Sequence, residues 1–150
     1  MADGLSPRLA AIVDALPLEP HLRILEIGCG PGAAARAIAN RLTTGHILAI
    51  DRSTKAVAQA EAGSAAEISS GRMSVRRSAI EDFALHPDEP PFDLAFAVRV
   101  GALDGRHPSA GKLALARIAA ALNPSGQLFI DTDDPQHPIR PIELGSTFTD

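Results

Sequence analysis

Short apolar runs alternate along this chain with segments in which apolar residues recur at helical spacing. The first helical segment begins at Ser6-Pro7, which has the character of an N-cap followed by proline at the first helical position, and Pro17 ends it. The apolar positions between these limits lie on one helix face, at Leu5, Leu9, Ile12, Val13 and Leu16. An amphipathic N-terminal helix is therefore predicted.

Five apolar runs bounded by turn-forming residues predict buried strands, at residues 23–28, 46–50, 73–79, 92–98 and 127–131. Helical patterns separate most of them, at residues 33–42, from Ser53 to about Ser70, and from Ser109 onward. In the last of these helices, one predicted face holds Leu115, Ile118, Ala119 and Leu122. The segment Asn123-Pro124-Ser125-Gly126 is expected to end this helix before the fifth strand.

Strands that alternate with helices of this length predict an α/β fold with a doubly wound, mainly parallel sheet and right-handed crossovers. Because the length is typical of one folding unit, we expect a single domain over 1–150. It divides into an N-terminal helix at 1–20, a core at 21–132 and a tail at 133–150. Prolines at 135, 138 and 141 make the tail at best an edge strand, with an extended arm the favoured expectation.

Composition and charge narrow the class of partner. Hydrophobic residues make up 45% of the chain and charged residues 21%, which is ordinary for a globular protein. A net charge of -4 disfavours nucleic acid, because phosphate binding needs a concentrated basic surface. Residues 1–6 lack the pattern of a signal peptide, and no apolar run approaches the roughly 20 residues that span a bilayer. We therefore expect a cytoplasmic protein with no membrane partner.

No metal site is predicted. Cys29 is the only cysteine, and the five histidines are scattered without a ligand spacing. The small side chain of Cys29 inside a glycine loop is explained by close packing, which we favour over a reactive thiol.

The first strand runs directly into the turn Glu26-Ile27-Gly28-Cys29-Gly30-Pro31-Gly32. In open α/β sheets, ligands bind beyond the carboxyl ends of the strands, and the first strand-to-helix turn is the central element. Its glycines permit positive φ and let a ligand touch the backbone. With Ala33 counted, the turn also satisfies the dinucleotide fingerprint. The glycines alone therefore leave two cofactor classes open, a dinucleotide and a different adenosine ligand.

Two acidic residues, Glu26 and Asp51, distinguish between these two cofactor classes. Glu26 lies two residues before the first glycine, where its negative charge would repel a pyrophosphate but would attract a sulfonium or an α-amino group. Asp51, at the end of the second strand, has the usual spacing for accepting hydrogen bonds from ribose hydroxyls. Adenosine joined to a cation is the ligand that these groups favour.

Residues 24–32 resemble the first motif of class I S-adenosylmethionine-dependent methyltransferases, whose fold is Rossmann-like. These residues are Ile24-Leu25-Glu26-Ile27-Gly28-Cys29-Gly30-Pro31-Gly32. Further segments are similar to the family's later motifs in the same order. They are residues 48–53 for the second acidic motif, 78–83 for the adenine turn, 91–96 for the fourth strand, and 115–130 for the last helix and fifth strand. The resemblance covers roughly residues 20 to 132, and the ordered combination is more specific than any single motif.

The resemblance implies S-adenosylmethionine as cofactor and a set of residues that bind it. Glu26 would lie near the methionine end, Gly28 and Gly30 would line the cofactor, Asp51 would hold the ribose, and Ile80 would offer its backbone N–H to adenine. The full expected set is Glu26, Gly28, Cys29, Gly30, Gly32, Asp51, Arg52, Ala79, Ile80, Glu81 and Ala97.

The chain departs from the family pattern at two places. Ala79 stands where the family often has an acid, so recognition of the adenine amino group would pass to Glu81 or Asp82. The family also continues into two further strands that form a closing hairpin. We expect this chain to have a shortened C-terminal part without the full hairpin.

Methyl transfer needs little covalent chemistry from the protein, because the sulfonium is already an activated donor and orientation does most of the work. A base is needed only if the acceptor arrives protonated. Arg99 and His107, with Asp104 and Arg106 between them, follow the fourth strand and are the weak candidates for acceptor binding or catalysis. An ordinary polar loop is the alternative. We also expect the N-terminal helix to cover part of this acceptor site.

A small-molecule acceptor is expected, since residues 97–100 read Ala97-Val98-Arg99-Val100 where the base and glutamine methyltransferases carry an aromatic motif. Two other functions stay open. One is a cofactor-binding domain that has no activity of its own or serves a partner subunit. The other is an NAD(P)-dependent oxidoreductase, against which the absence of tyrosine removes the tyrosine–lysine proton donor of short-chain dehydrogenases. A homodimer is a further expectation, because an incomplete sheet would leave the fifth strand exposed.

Overall fold

The computed structural model describes residues 4–103 and 106–144 of the chain. The helices are α1 (Pro7–Ala15), α2 (Ala33–Ala39), α3 (Thr54–Gly63), α4 (Ala65–Ser69) and α5 (Pro108–Ala121), and a 3-10 turn spans Ile80–Asp82. The strands are β1 (Arg23–Ile27), β2 (His46–Asp51), β3 (Met73–Arg77), β4 (Phe92–Ala97), β5 (Leu122–Asp131) and β6 (Ile139–Ile142).

Serine residues cap the N-termini of α1 and α3, as the sequence predicts. The Oγ of Ser6 accepts the backbone N–H of Leu9 at 3.1 Å, and the Oγ of Ser53 accepts that of Ala56 at 3.1 Å. Each bond satisfies one of the amide donors that a helix leaves unpaired in its first turn.

The six strands form one sheet in the order β3-β2-β1-β4-β5-β6. Strands β1 to β5 pair in parallel, and β6 pairs antiparallel to β5. From β1 the chain builds outward to β3 and then crosses back to place β4 on the other side of β1. The order therefore reverses between β1 and β4, and a crevice opens at their carboxyl ends. The predicted α/β, doubly wound, mainly parallel fold is confirmed.

Two apolar layers cover the central strands. Ile24 packs with Ile12 of α1 and Ile38 of α2 on one face of the sheet, whereas Leu25 packs with Ile118 of α5 on the other. Neighbouring strand residues point to opposite faces, so a continuous apolar run can serve both layers. This two-sided burial holds the carboxyl ends of β1 and β4 in place for the site.

The third predicted helix is wrong in one respect, because it is two helices that meet at Ser64. The side chain of Ser64 is buried, and its Oγ accepts a hydrogen bond from the guanidinium of Arg36 at 3.0 Å. The break between α3 and α4 therefore lies at a buried serine that is hydrogen-bonded to Arg36 of α2.

The end of the last helix also differs from the prediction. The buried face of α5 consists of Ala114, Ile118 and Ala121, and Ala119 is exposed. Leu122 is the first residue of β5, where it pairs with Phe92. The segment 123–126, expected as a turn before the strand, lies inside β5 at a register shift.

The tail forms an edge strand, which the sequence analysis allowed but did not favour. Pro141 lies opposite Phe129 in the β5–β6 register. Proline is tolerated there because β6 is an edge strand and an edge residue can leave its missing donor on the solvent side. Strand β6 covers the β5 edge on which the expectation of a homodimer was based, so that expectation loses its structural reason.

Candidate functional site

A cleft of about 600 Å³ lies at the carboxyl ends of β1, β2 and β4, where the strand order reverses. Its wall is formed by the end of β1, the turn after β2, the turn after β3, the loop after β4 and the start of α5. The lining residues are Ile27, Gly28, Asp51, Arg52, Ser78, Ala79, Ile80, Glu81, Val98, Arg99, Val100, Gly101, Ala102, Arg106, His107 and Ala110. The cleft has the size and the position of a small-molecule site in an open α/β sheet.

The glycine turn has the left-handed backbone that its sequence predicts. Gly28, Gly30 and Gly32 have φ values of 74°, 54° and 92°. The backbone N–H groups of Gly28 and Cys29 both donate to the carbonyl of Ile50, each at 2.9 Å, which ties the turn to the end of β2. A side chain at residue 28 would also collide with the loop after β4, because an added Cβ would lie 2.8 Å from Cγ2 of Val100.

Asp51 holds the glycine turn and the following helix at the same time. Its Oδ2 accepts the backbone N–H of Gly30 at 2.9 Å, and its Oδ1 accepts that of Ser53 at 2.9 Å. These two bonds fix the plane of the carboxylate at the cleft wall. Because each carboxylate oxygen can accept more than one hydrogen bond, Asp51 retains capacity for a diol.

Glu26 is the buried acid behind the turn. It is 4% exposed, and its Oε1 has no hydrogen-bond partner among residues 4–103 and 106–144. Burial, and secondarily the charge of Asp51, raises the pKa of Glu26 from 4.5 to about 8. Glu26 is therefore mostly protonated near neutral pH in the unliganded protein. The sequence-based expectation assumed an ionised carboxylate at Glu26. In the buried site, that ionised form needs a nearby cation or hydrogen-bond donor to stabilise it.

Cys29 has the features of a structural residue. Its side chain is buried, and the Sγ donates to the carbonyl of Gly30 at 3.4 Å. Burial, followed by the charges of Glu26 and Asp51, raises the pKa of Cys29 to about 12. A thiol with this pKa is unreactive at neutral pH, which agrees with the close-packing interpretation.

Short turns after β2 and β3 form the opposite wall. The 3-10 turn Ile80–Asp82 buries the side chain of Ile80 and brings Glu81 to the cleft. The guanidinium of Arg52, which is mostly exposed, lies 4.0 Å from a carboxylate oxygen of Glu81. An ion pair this long, with one partner mostly exposed, adds little stability.

The loop after β4 is anchored to β5. Arg99 has a positive φ of 55°, and its backbone N–H donates to Oδ1 of Asp131 at 3.0 Å. Oδ2 of Asp131 accepts a hydrogen bond from the guanidinium of Arg8 at 2.8 Å. A positive φ is uncommon for arginine, and the bond to Asp131 helps to hold it. Asp131 was not among the predicted site residues, although an acid at the carboxyl end of a parallel strand is a usable signal.

Many of the predicted site residues meet in the cleft. Those that line it are Gly28, Asp51, Arg52, Ala79, Ile80, Glu81, Arg99 and His107. Glu26, Cys29, Gly30 and Gly32 of the turn, and Ala97 at the end of β4, do not line it. Four apolar residues that line the cleft were not among the predicted site residues: Val98, Gly101, Ala102 and Ala110. Small apolar residues in a loop carry no distinctive sequence signal.

Helix α1, which was predicted to cover part of the acceptor site between Arg99 and His107, does not line this cleft. Of the described α1 residues, Arg8 reaches a neighbouring cavity instead. Helix α1 packs on α2, which keeps it on one face of the sheet. Asp104, predicted for the same loop, and Gly105 lie outside the described residues.

The described part of the chain lacks two kinds of feature, a metal-ligand group and a membrane-spanning helix. It contains no group of three or more histidine, cysteine or acidic residues arranged to hold a metal ion. It also contains no helix with the length and apolar character needed to cross a bilayer.

Comparisons with known proteins agree with this geometry. A family model described as a methyltransferase domain matches residues 24–126. Trans-aconitate 2-methyltransferase of Streptomyces avermitilis is 36% identical over 86 residues, which cover 57% of this chain and 30% of that protein. The chain therefore spans less than a third of the length of that curated relative.

Two solved structures illustrate the shared fold. A S-adenosylmethionine-dependent methyltransferase of Geobacter sulfurreducens, solved with S-adenosylhomocysteine, has a TM-score of 0.63 at 22% identity, over 84% of this chain and 48% of that one. The [4+2]-cyclase SpnF has a TM-score of 0.67 at 25% identity, over 81% of this chain and 42% of that one. Because the family match extends over more than half of the chain and includes both the glycine turn and Asp51, this protein belongs to the methyltransferase-domain family, with the fold of the class I S-adenosylmethionine-dependent methyltransferases.

Proposed function

We propose that this domain binds S-adenosylmethionine in the cleft and transfers its methyl group to a small-molecule acceptor. The observation that carries the proposal is the glycine turn, which Asp51 holds at the carboxyl ends of β1 and β2 with the acid Glu26 buried directly behind it. Family membership supports the same reaction. S-adenosylmethionine supplies, when bound, a methyl group on a positively charged sulfur.

The residues present fit this cofactor. Gly28 has a left-handed backbone and lines the cleft without a side chain, so a ligand can lie against it. Asp51 supplies carboxylate acceptors for a ribose diol, and Glu26 supplies a buried oxygen without a partner among the described residues. A cation near the turn would stabilise the ionised form of Glu26. We assign Gly28, Asp51 and Glu26 to the cofactor on this basis.

Other predicted cofactor residues fall into two groups. Arg52, Ala79, Ile80 and Glu81 line the opposite wall, where we place the adenine and ribose. Cys29, Gly30 and Gly32 belong to the turn and Ala97 ends β4, but none of them lines the cleft, so we assign them a structural part in the same site.

The acceptor side of the proposal rests on the loop after β4. Arg99 and His107 both line the cleft, and His107 packs against Gly101, where an added Cβ would lie 2.9 Å from its Cδ2. We assign these two side chains to orientation of the acceptor. The Streptomyces relative is named for a small molecule, trans-aconitate, and this supports a small-molecule acceptor here.

One alternative deserves a separate readout, because SpnF is named a cyclase and has the same fold. A domain of this architecture can therefore perform another reaction. A cofactor-binding domain that has no activity of its own or serves a partner is the other alternative. Binding of the cofactor and transfer of its methyl group must be measured separately on the same preparation.

Calorimetric titration with S-adenosylhomocysteine and with NAD tests the cofactor assignment. We expect S-adenosylhomocysteine to bind and NAD not to bind. Asp51→Asn should weaken binding by about 1 to 3 kcal/mol, the loss typical of charged hydrogen bonds. Asp14→Asn is the matched control, because Asp14 is exposed on α1 and pairs with Arg41 away from the cleft. Binding of NAD without S-adenosylhomocysteine would contradict the proposal.

Methyl transfer is then tested by incubating the protein with methyl-labelled cofactor and fractionated metabolite extracts. We expect label to appear in a small molecule, and Asp51→Asn to reduce the rate at low cofactor concentration. If S-adenosylhomocysteine binds but no fraction is labelled, the cofactor-binding domain without its own methyltransferase activity is the correct alternative.

A further inference from the structure

A second cavity, of about 530 Å³, adjoins the cofactor cleft and is rich in arginine. Arg99 and Arg106 line both cavities, so the two spaces meet at these side chains. The residues around the second cavity are Arg8, Arg99, Leu103, Arg106, Ile130, Asp131, Thr132, Asp133 and Arg140. Four arginines from three parts of the chain, α1, the loop after β4 and β6, thus converge at this cavity.

The charges around this cavity are not balanced. The charge of Asp131 is offset by Arg8, whose guanidinium donates to one of its oxygens, and the other oxygen accepts the Arg99 backbone N–H. Asp133 is the other acid that lines the cavity. Arg99 and Arg140 have no side-chain hydrogen bond or ion pair with a described residue. The cavity therefore carries a local positive charge in a chain whose net charge is -4.

We propose that this arginine-lined cavity binds the methyl acceptor through anionic groups, carboxylate or phosphate, with Arg99 and Arg140 as the principal contacts. Guanidinium groups match carboxylate and phosphate oxygens in a two-pronged geometry, and two cations on one wall favour a ligand with more than one negative charge. The inference rests on the proposed function, because it takes the adjoining cleft as the site of the methyl donor.

The position of Arg99 connects recognition to the reaction. Its backbone is fixed by Asp131, and its side chain stands where the two cavities meet. An acceptor held by Arg99 would therefore lie beside the cleft. Arg140 comes from β6 and lines the second cavity but not the cleft, so an acceptor that spans both arginines has a defined orientation.

The test uses citrate and inorganic pyrophosphate as probes, titrated at constant ionic strength into the free protein and into the protein saturated with S-adenosylhomocysteine. We expect at least one probe to bind, and the stronger one to show whether carboxylate or phosphate is preferred. Arg99→Gln and Arg140→Gln should each weaken that probe by about five-fold or more. Arg41→Gln, which removes the same charge from an exposed side chain outside both cavities, should leave it unchanged.

Three results would overturn the inference: neither probe binds, the probe binds equally to all three variants, or Arg41→Gln weakens it as much as Arg140→Gln does. Arg140 does not line the cleft, so its substitution should not move the affinity for S-adenosylhomocysteine. Failure of the protein to bind S-adenosylhomocysteine would instead count against the proposed function. The free-protein titration would still decide whether the arginines form an anion site.

Discussion

Replacing Glu26 with glutamine should remove a large part of the pH dependence of folding stability. The pKa of Glu26 is about 8 in the folded protein, against 4.5 for an unperturbed carboxyl. Between these two values the folded state holds a proton that the unfolded state has released. Stability supplied by the protonated acid is therefore complete below about pH 4.5 and is lost as pH rises toward and through about 8.

The size of the effect follows from the shift. Within that window each pH unit changes the free energy of unfolding by about 1.4 kcal/mol, so the wild type should lose about 2 kcal/mol between about pH 6 and about pH 8. Glutamine does not titrate, and Glu26→Gln should lack this component. Burial of the side chain makes solvent screening a small correction, since only 4% of Glu26 is exposed.

Urea unfolding of wild type and Glu26→Gln at several pH values measures the difference directly. Other titrating groups, such as His46, whose burial lowers its pKa, contribute equally to both proteins and cancel. We expect the stability of the variant relative to wild type to rise steadily with pH. Parallel pH profiles for the two proteins would show that Glu26 is ionised in the folded state and would refute the reasoning.

Three further predictions concern the turn, β4 and the thiol. Gly28→Ala should weaken S-adenosylhomocysteine binding and lower the melting temperature, because residue 28 has a φ of 74° and the added Cβ would lie 2.8 Å from Cγ2 of Val100. Adding Val100→Ala should restore part of the loss. Full wild-type behaviour of the single variant would contradict this prediction. Asp93→Ala should reduce stability by about 1 to 3 kcal/mol in urea unfolding with unchanged cofactor affinity, since Asp93 bonds Asn123 outside the cleft. Cys29 should react with iodoacetamide much faster in urea than in the native state, because its pKa is about 12 when folded; equal rates would contradict its burial.

The fold could be predicted from the sequence wherever local patterns and burial agree. The run from residue 24 to residue 27 is apolar on both faces apart from Glu26, and such a run fits a central parallel strand. The tail was harder because Pro138 and Pro141 argue against a strand by local rules. Its pairing with β5 depends on a neighbour that sequence patterns do not identify, and that tertiary contact outweighed the local preference.

The glycine turn and Asp51 could likewise be predicted, because their chemistry is local and their spacing is characteristic. The anchoring of Arg99 could not. It depends on Asp131, which lies 32 positions from Arg99, and on Arg8, which lies 123 positions from Asp131. Contacts between such distant residues follow from the packing of α1 and β5 around the loop, and no single segment encodes them.

Glu26 shows how the structure changes the physical argument without changing its direction. A permanently charged acid would discriminate between cofactors by repelling pyrophosphate, but burial leaves Glu26 mostly neutral in the unliganded protein. Discrimination then arises on binding. A cation near the turn draws the proton away and gains a buried carboxylate as partner, whereas an anion keeps Glu26 protonated and gains no charge pairing. The same acid that lowers folding stability at high pH therefore favours a cationic adenosine ligand once the cleft is filled.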